Sequence, residues 1–267
     1  MRYWISTDLD GTLLDHHTYS YEAASPALSL CKKYCVPVIL NTSKTLAETI
    51  ALHQKLGFDS PLAVENGSAL IFPNASGAFE KTVEFGVQRE QILAFIERVR
   101  VEHDFDLEGF DDWTISEIAK RTGLTDEQAE LASKKQYSEP FIWNGSHDEF
   151  SQLVRLAEET DLKVLRGGRF FHLQGKTDKA QPLAMIKETL TDEFPNLNQD
   201  AELICLGDNN NDVAMLNLAD IPICVKSPKG SYPSLTTERQ VTFTHGEGPV
   251  GWNEAIQEIL QGWSHEL

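Results

Sequence analysis

Cysteine is scarce in this 267-residue chain. Cys31, Cys35, Cys205 and Cys224 are the four, and no two are spaced as Cys-x-x-Cys. A disulfide framework or a cysteine-ligated metal is therefore not expected, and the four read as reduced interior residues of a cytoplasmic protein. No stretch approaches the ~20 apolar residues that cross a bilayer. The N-terminus reads as lacking a signal peptide, because Asp8 and Asp10 fall where its apolar segment would have to lie. Positive charge is in deficit as well: 23 Lys and Arg stand against 41 Asp and Glu, a formal net charge of −18. That balance argues against nucleic acid as a partner, which needs a basic surface. An anionic substrate would be repelled at long range and would need locally clustered cations. Metal-ligand spacing is missing from His16-His17, His147, His245 and His265, and no internal repeat or low-complexity tract breaks the chain.

What is present is an alternation of short apolar runs and helical patterns. Tyr3 to Thr7 reads as a buried strand, Tyr21 to Tyr34 as a helix and Val36 to Leu40 as a second strand. Thr45 with Glu48 three residues on is a capping-box pattern opening a helix to about Leu56, and Leu62 to Val64 is a third strand. This βαβαβ order predicts a parallel sheet with helices on both faces. Ala69 to Phe72 and Phe79 to Phe85 then flank a turn and suggest a hairpin. Ile92, Phe95, Ile96 and Val99 mark an amphipathic helix. Helical pieces at Ile115 to Arg121, Asp126 to Lys135 and His147 to Glu159 mix with strands at Phe141 to Trp143, Leu162 to Leu165 and Arg169 to Leu173. Strand–helix alternation resumes near Asp178: a helix to Phe194, a strand to Leu206, a helix from Asp212, a strand from Ile221 to Val225 and a last helix from Pro249. The fold class expected is α/β: a doubly wound parallel-sheet core from residues 1–80 and 175–267, with an inserted α+β cap domain at 81–174.

In a doubly wound sheet, ligands bind at the carboxyl ends of the strands. Asp8/Asp10, Thr42/Ser43/Lys44, Glu65/Asn66 and Asp208 all follow candidate strands, and Lys179 sits before the fourth. Asp8-Leu9-Asp10-Gly11-Thr12 and Gly207-Asp208-Asn209-Asn210-Asn211-Asp212 bring several carboxylates to one edge. Oxygen ligands of this kind suit Mg²⁺, although Mn²⁺ and Co²⁺ accept them too. A carboxylate nucleophile, a hydroxyl, a lysine and a metal are the parts phosphoryl transfer through an aspartyl-phosphate requires. Taken singly, each has an ordinary reading. Thr42 and Ser43 cap the following helix, Lys179 is a solvated helix residue, Arg169 and His172 alternate with Phe170 and Leu173 as a strand's solvent face, and Trp113 and Trp143 are core. Together, in this order, they point to chemistry.

The two acidic motifs with Thr42 and Lys179 resemble, in order and spacing, the four motifs of the haloacid dehalogenase-like (HAD) phosphatases, and the insert resembles the larger of that superfamily's cap types. Asn41-Thr42-Ser43-Lys44-Thr45, Glu65-Asn66-Gly67-Ser68-Ala69, Gly168-Arg169-Phe170-Phe171-His172 and Asp178-Lys179 are similar to segments of its mannosyl-3-phosphoglycerate phosphatases. The resemblance implies Asp8 as nucleophile and Asp10 as the acid and then the base. It implies Thr42 as a donor to a phosphoryl oxygen and Lys179 as a charge partner of the nucleophile. Mg²⁺ would be held by Asp8, Asp208 and the backbone carbonyl of Asp10, with Asp212 and Asn211 ligating through water or orienting Lys179. The substrate side would involve Ser43, Lys44, Asn66, Arg166, Gly168, Arg169 and His172. Lys44, Arg166, Arg169 and His172 are the local cationic cluster, and Gly167-Gly168 allows close backbone approach. The substrate expected is a phosphorylated glycerate or sugar, foremost mannosyl-3-phosphoglycerate. Alternatives are a broader sugar-phosphate or phosphoglycolate phosphatase, a phosphohexomutase-like phosphotransferase and a non-catalytic phosphate-ligand sensor.

Overall fold

The computed structural model describes residues 2–74, 79–166, 169–194, 197–198, 200–228 and 230–264. Strand β1 (Tyr3–Thr7) is buried along its whole length, as a strand covered on both faces must be. Helix α1 (Ser25–Lys33) carries Pro in its first turn and leads to β2 (Val38–Asn41). The predicted capping box of Thr45 and Glu48 opens α2 (Leu46–Leu56), and Gly57 ends it in the left-handed conformation. β3 (Leu62–Val64), β4 (Ala69–Pro73) and β5 (Phe79–Glu84) follow. The central stretch holds α3 (Arg89–His103), β6 (Leu107–Gly109), α4 (Ile115–Thr122), α5 (Asp126–Ser133), β7 (Ser138–Trp143), α6 (His147–Glu158), β8 (Leu162–Arg166) and β9 (Phe171–Gly175). The chain then continues through α7 (Gln181–Glu188), α8 (Leu190–Glu193), β10 (Glu202–Gly207), α9 (Val213–Leu218), β11 (Ile221–Lys226), β12 (Thr242–Glu247) and α10 (Gly248–Ser264).

Two sheets result. The larger has the order β12-β11-β10-β1-β2-β3-β4-β5. It is parallel from β12 to β3, and β4 and β5 are antiparallel. The chain leaves β1 toward β2 on one side and returns to β10 on the other, so the strand order reverses at β1. A reversal of this kind opens a crevice beyond the carboxyl ends of the strands. Thr7 is level with both Leu206 and Leu40, which brings the residues that follow them to one edge. Apolar clusters cover the two faces: Ile5, Leu40, Ile204 and Trp252 on one, Trp4, Ile39, Leu203 and Leu183 on the other. The smaller sheet, β6-β7-β9-β8, is antiparallel. Ile92, Phe95, Ile96 and Val99 of α3 pack on it with Phe141, Leu153 and Leu173.

Several details depart from expectation. Residues 81–84, expected in the insert, pair with β4 in the large sheet. The helix expected from Asp178 to Phe194 is divided at Thr189, whose N–H bonds back to Met185 and Ile186. Cys35 is exposed at φ +54, while Cys31, Cys205 and Cys224 are buried free thiols. Trp113 packs against Phe110 and Phe170, and Trp143 against Phe105 and Phe150. The Ser76-Gly77 turn, Gly167-Gly168 and His265 lie outside the described residues. No helix among those described is long and apolar enough to cross a membrane.

Candidate active site

At the β1–β10 edge, Asp8, Asp208 and Asp212 each offer a carboxylate oxygen, and these atoms lie within 4.8 Å of one another. The Lys179 ammonium, fully buried, donates to Asp8 Oδ1 and to Asp212 Oδ1, both at 2.6 Å. Its backbone is fixed from two sides. Asn41 Nδ2 donates to the Lys179 carbonyl at 2.8 Å, and the turn at Gly67 presses on the Asp178 carbonyl. Gly67 has φ +82, and a Cβ there would lie 2.1 Å from that oxygen, so no side chain fits. The second oxygen of Asp212 accepts the backbone N–H groups of Asp208 and Asn209 at 3.1 and 3.0 Å. Asp208 Oδ1 accepts from the Thr12 hydroxyl at 3.0 Å. Its Oδ2 faces Gly11, where a Cβ would stand only 2.9 Å away.

Three carboxylates around one ammonium leave net negative charge in a desolvated place. Burial, reinforced by Asp8 and Asp212, pushes the Asp208 carboxyl up to about 7. Burial pushes Asp212 up to about 6 against the pull of Lys179. Lys179 itself is raised, because its two carboxylates outweigh its burial. Asp10 is also raised by burial, although Lys44 opposes the shift. Asp10 Oδ2 pairs with Lys44 Nζ at 2.9 Å, while its Oδ1 is buried with no hydrogen-bond partner. An orphaned carboxylate oxygen of this kind is costly unless another group meets it.

The residues assigned to substrate recognition scatter more widely. Thr42 is buried, and its hydroxyl accepts the Lys44 N–H at 3.1 Å. The Ser43 carbonyl accepts from Lys135 Nζ at 2.9 Å. Asn211 Nδ2 donates to Asn66 Oδ1 at 3.2 Å, and Asn66 Nδ2 donates to Gln174 Oε1 at 3.1 Å, a chain of amides linking β9 to the loop after β10. Arg166 is exposed at the end of β8. Arg169 is exposed and donates to the Thr122 carbonyl at the end of α4. His172 is pushed down to about 3, by burial and by the charge of Lys135, so it is neutral at ordinary pH. The expected cationic cluster is therefore not one patch: Lys44 is matched by Asp10, Arg169 is bound to a helix end, and His172 carries no charge. Gly168 lies outside the described residues.

The profile of the haloacid dehalogenase-like hydrolases matches residues 5–231 of the chain. The chain belongs to that family. Two relatives, each 35% identical, carry the name glucosyl-3-phosphoglycerate/mannosyl-3-phosphoglycerate phosphatase. The one from Methanococcoides burtonii aligns over 97% of this chain and 98% of its own length, the one from Persephonella marina over 96% of each. A crystal structure from Thermoplasma acidophilum shares the fold at a TM-score of 0.70 and 18% identity, over 98% of this chain and 99% of its own. This HAD-like chain is thus an enzyme, a phosphatase.

The HAD-like site also contains residues that motif reading left without a role. Lys135, Gln174 and Ser138 lie far from the acidic motifs in sequence and carry no local signature, and Asn41, which opens the Thr42 segment, was given no role of its own. Glu65 follows a strand end and had that signal. Its carboxylate accepts from the Gln136 and Tyr137 N–H groups at 2.8 and 3.2 Å and from the Ser138 hydroxyl at 2.6 Å. The donor set around Asp8 and Asp208 suits a hard divalent cation. The unpartnered oxygen of Asp10 and the Asp208 oxygen beside Gly11, where a side chain is excluded, agree with an ion at this edge.

Proposed function

We propose that the chain is an Mg²⁺-dependent phosphatase of glycosyl-3-phosphoglycerates, mannosyl or glucosyl, acting through an aspartyl-phosphate on Asp8. The observation that carries the chemistry is the Asp8 carboxylate, held by Lys179 at 2.6 Å within a cluster of three carboxylates at the sheet edge. The substrate class is supported by the names of the two relatives, which align almost end to end.

One Asp8 oxygen attacks phosphorus and the bond to the leaving oxygen breaks, with Asp10 giving its proton to that oxygen. Water then attacks the phosphorus of the acyl phosphate, its proton returns to Asp10, and phosphate leaves with Asp8 restored. The elevated affinity of Asp10 for a proton suits it to both steps. Lys179 fixes the orientation of Asp8 and offsets its charge, and Thr42 donates to a phosphoryl oxygen. Asp8, Asp208 and the carbonyl of Asp10 would hold Mg²⁺, with Asp212 anchoring the Asp208 loop. When bound, the ion neutralises the carboxylates and polarises the phosphoryl group. The four-stranded sheet and its helices form the cap over the crevice, and closure excludes bulk water from the reacting phosphorus.

The test is phosphate release with Mg²⁺ from mannosyl-3-phosphoglycerate, glucosyl-3-phosphoglycerate, 3-phosphoglycerate, 2-phosphoglycolate, mannose 6-phosphate and an aryl phosphate. A kcat/KM for a glycosyl-3-phosphoglycerate far above the rest is the result expected. Equal slow rates, or preference for the hexose phosphate, would reject the substrate. Isomerisation of a sugar phosphate without phosphate release would reject hydrolysis.

A further inference from the structure

We propose that a cavity of about 200 Å³ between the loop after β1, α2 and the α4–α5 pair is the seat of the sugar ring of the leaving group. This rests on the reading of the substrate as a glycosylated phosphoglycerate. Its walls come from Tyr19, from Lys44 and Glu48 at the start of α2, and from Leu124, Gln128 and Leu131 of the cap. Of these, only Lys44 was assigned to the substrate from the sequence, and Glu48 was marked there only as half of a capping box.

Position assigns the occupant. Lys44 lies in the wall and holds Asp10 Oδ2 at 2.9 Å. Asp10 is the group that protonates the leaving oxygen. Whatever lies beyond that oxygen, away from phosphorus, is the leaving group, and Lys44, shared by the cavity wall and Asp10, sets the cavity beside that proton donor. Its lining assigns the chemistry. Tyr19 and the two leucines offer an apolar surface to the C–H face of a pyranose. Glu48 offers acceptor oxygens, and Lys44 donors, to hydroxyls. The Gln128 carboxamide oxygen already accepts the Thr125 N–H at 3.0 Å, which leaves its NH₂ as a donor. The cavity is smaller than the ~300–1,000 Å³ of pockets for drug-sized ligands, so it suits one ring and not an oligosaccharide.

The conformation of Tyr19 gives independent support. It is 48% exposed and sits at φ +54, a region that bulky residues rarely adopt. Local hydrogen bonds impose that conformation. The Tyr19 N–H donates to the Asp15 carbonyl, the Asp15 N–H donates to the Ser20 carbonyl, and Asp15 Oδ1 accepts from His17 and Thr18. The Lys44 ammonium lies 5.3 Å from the ring centre. An exposed aromatic ring held in an uncommon backbone conformation at the mouth of a cavity points to a ligand contact. On the cap side, Arg169 donates to the Thr122 carbonyl and so fastens the α4–α5 turn that carries Leu124. That gives Arg169 a part in shaping this wall.

The experiment compares kcat/KM for the preferred glycosyl-3-phosphoglycerate with that for 3-phosphoglycerate, using the Mg²⁺-loaded enzyme. Tyr19→Asn removes the ring while tolerating positive φ, and Leu131→Trp fills the cavity. Tyr19→Phe keeps the ring, and Val101→Ser, on the exposed face of α3, is the control. The ratio is expected to fall on the order of tenfold in Tyr19→Asn and Leu131→Trp, mainly through KM, the size of effect one pocket contact carries. Tyr19→Phe and Val101→Ser should keep the wild-type ratio. A wild-type enzyme that prefers the glycosyl ester, with a ratio that survives both substitutions, overturns the seat alone. A wild type with no such preference overturns the substrate reading, and the seat with it.

Discussion

Asp212 has both carboxylate oxygens engaged, one with a buried ammonium and the other with two backbone N–H groups of the loop that carries Asp208. An amide cannot serve both sides, because its NH₂ would face either Lys179 or those N–H groups. Asp212→Asn should therefore destabilise the fold by about 3 kcal/mol, the scale of breaking one partner of a buried pair, read as a lower urea midpoint. An unchanged midpoint would show that the loop is held by other means. Asp8→Asn keeps the size of the nucleophile and removes its chemistry, so phosphate release should drop by several orders of magnitude. Full retained activity would remove Asp8 from the nucleophile role. Proton linkage at the same cluster has a definite sign. Asp208 and Asp212, raised to about 7 and about 6, bind more protons folded than unfolded between about pH 4 and pH 7. Their contribution to stability is present below about pH 4 and is lost as pH rises through the folded values. A divalent ion binds the deprotonated carboxylates. The gain in Tm from Mg²⁺ over EDTA should thus be larger at pH 8 than at pH 5, and an equal gain at both would place the ion elsewhere.

Among the elements, the short turn after β3 joins the two sheets. Glu65, Asn66 and Gly67 all have positive φ, at +47, +57 and +82. Glu65 grips Gln136 and Tyr137 ahead of β7 and Ser138 at its start, and Asn66 grips Gln174 of β9. Ser138 and Gln174 are themselves cross-strand partners, so two consecutive core residues hold two adjacent cap strands. Glu65→Gln would set an NH₂ against backbone N–H donors in a buried place. A loss of about 1–3 kcal/mol is expected, with a raised KM if the cap seats poorly, measured by thermal unfolding and by steady-state kinetics. Wild-type values for both would mean that the turn does not carry the cap. Glu65 and Asn66 stood out in sequence as residues after a strand end, but their clamping role did not, because Gln136, Tyr137, Ser138 and Gln174 lie far along the chain and are unremarkable alone. What was legible had local signatures: the Thr45–Glu48 box, the i, i+3, i+4, i+7 stripe of α3, and the acidic motifs at strand ends. β12 escaped because it is an edge strand with only Thr244 buried and therefore no apolar run. β6 escaped because three residues show no period. The cations of the cap were named by type and spacing, but their partners decide their charge and direction. Those partners, Thr122 for Arg169 and Lys135 beside His172, are fixed only by tertiary packing.

For the molecule as a whole, the formal charge of −18 is a kinetic handicap for a phosphatase, whose substrate is an anion. Two of the site's lysines are already matched, Lys44 by Asp10, and Lys179 by Asp8 and Asp212. Long-range repulsion between like charges weakens as the Debye length shrinks, from ~30 Å at ~0.01 M salt to ~10 Å at ~0.1 M. Contacts inside the closed site are screened far less. Raising KCl over that range, with Mg²⁺ held saturating, should therefore increase kcat/KM for the glycosyl-3-phosphoglycerate severalfold and leave kcat nearly constant. A neutral competitive inhibitor should show no such dependence. If kcat/KM falls with salt instead, the substrate meets a positive local field on approach. The cations providing it would be the exposed arginines of the β8–β9 end, Arg166 and Arg169, drawing the substrate in ahead of closure.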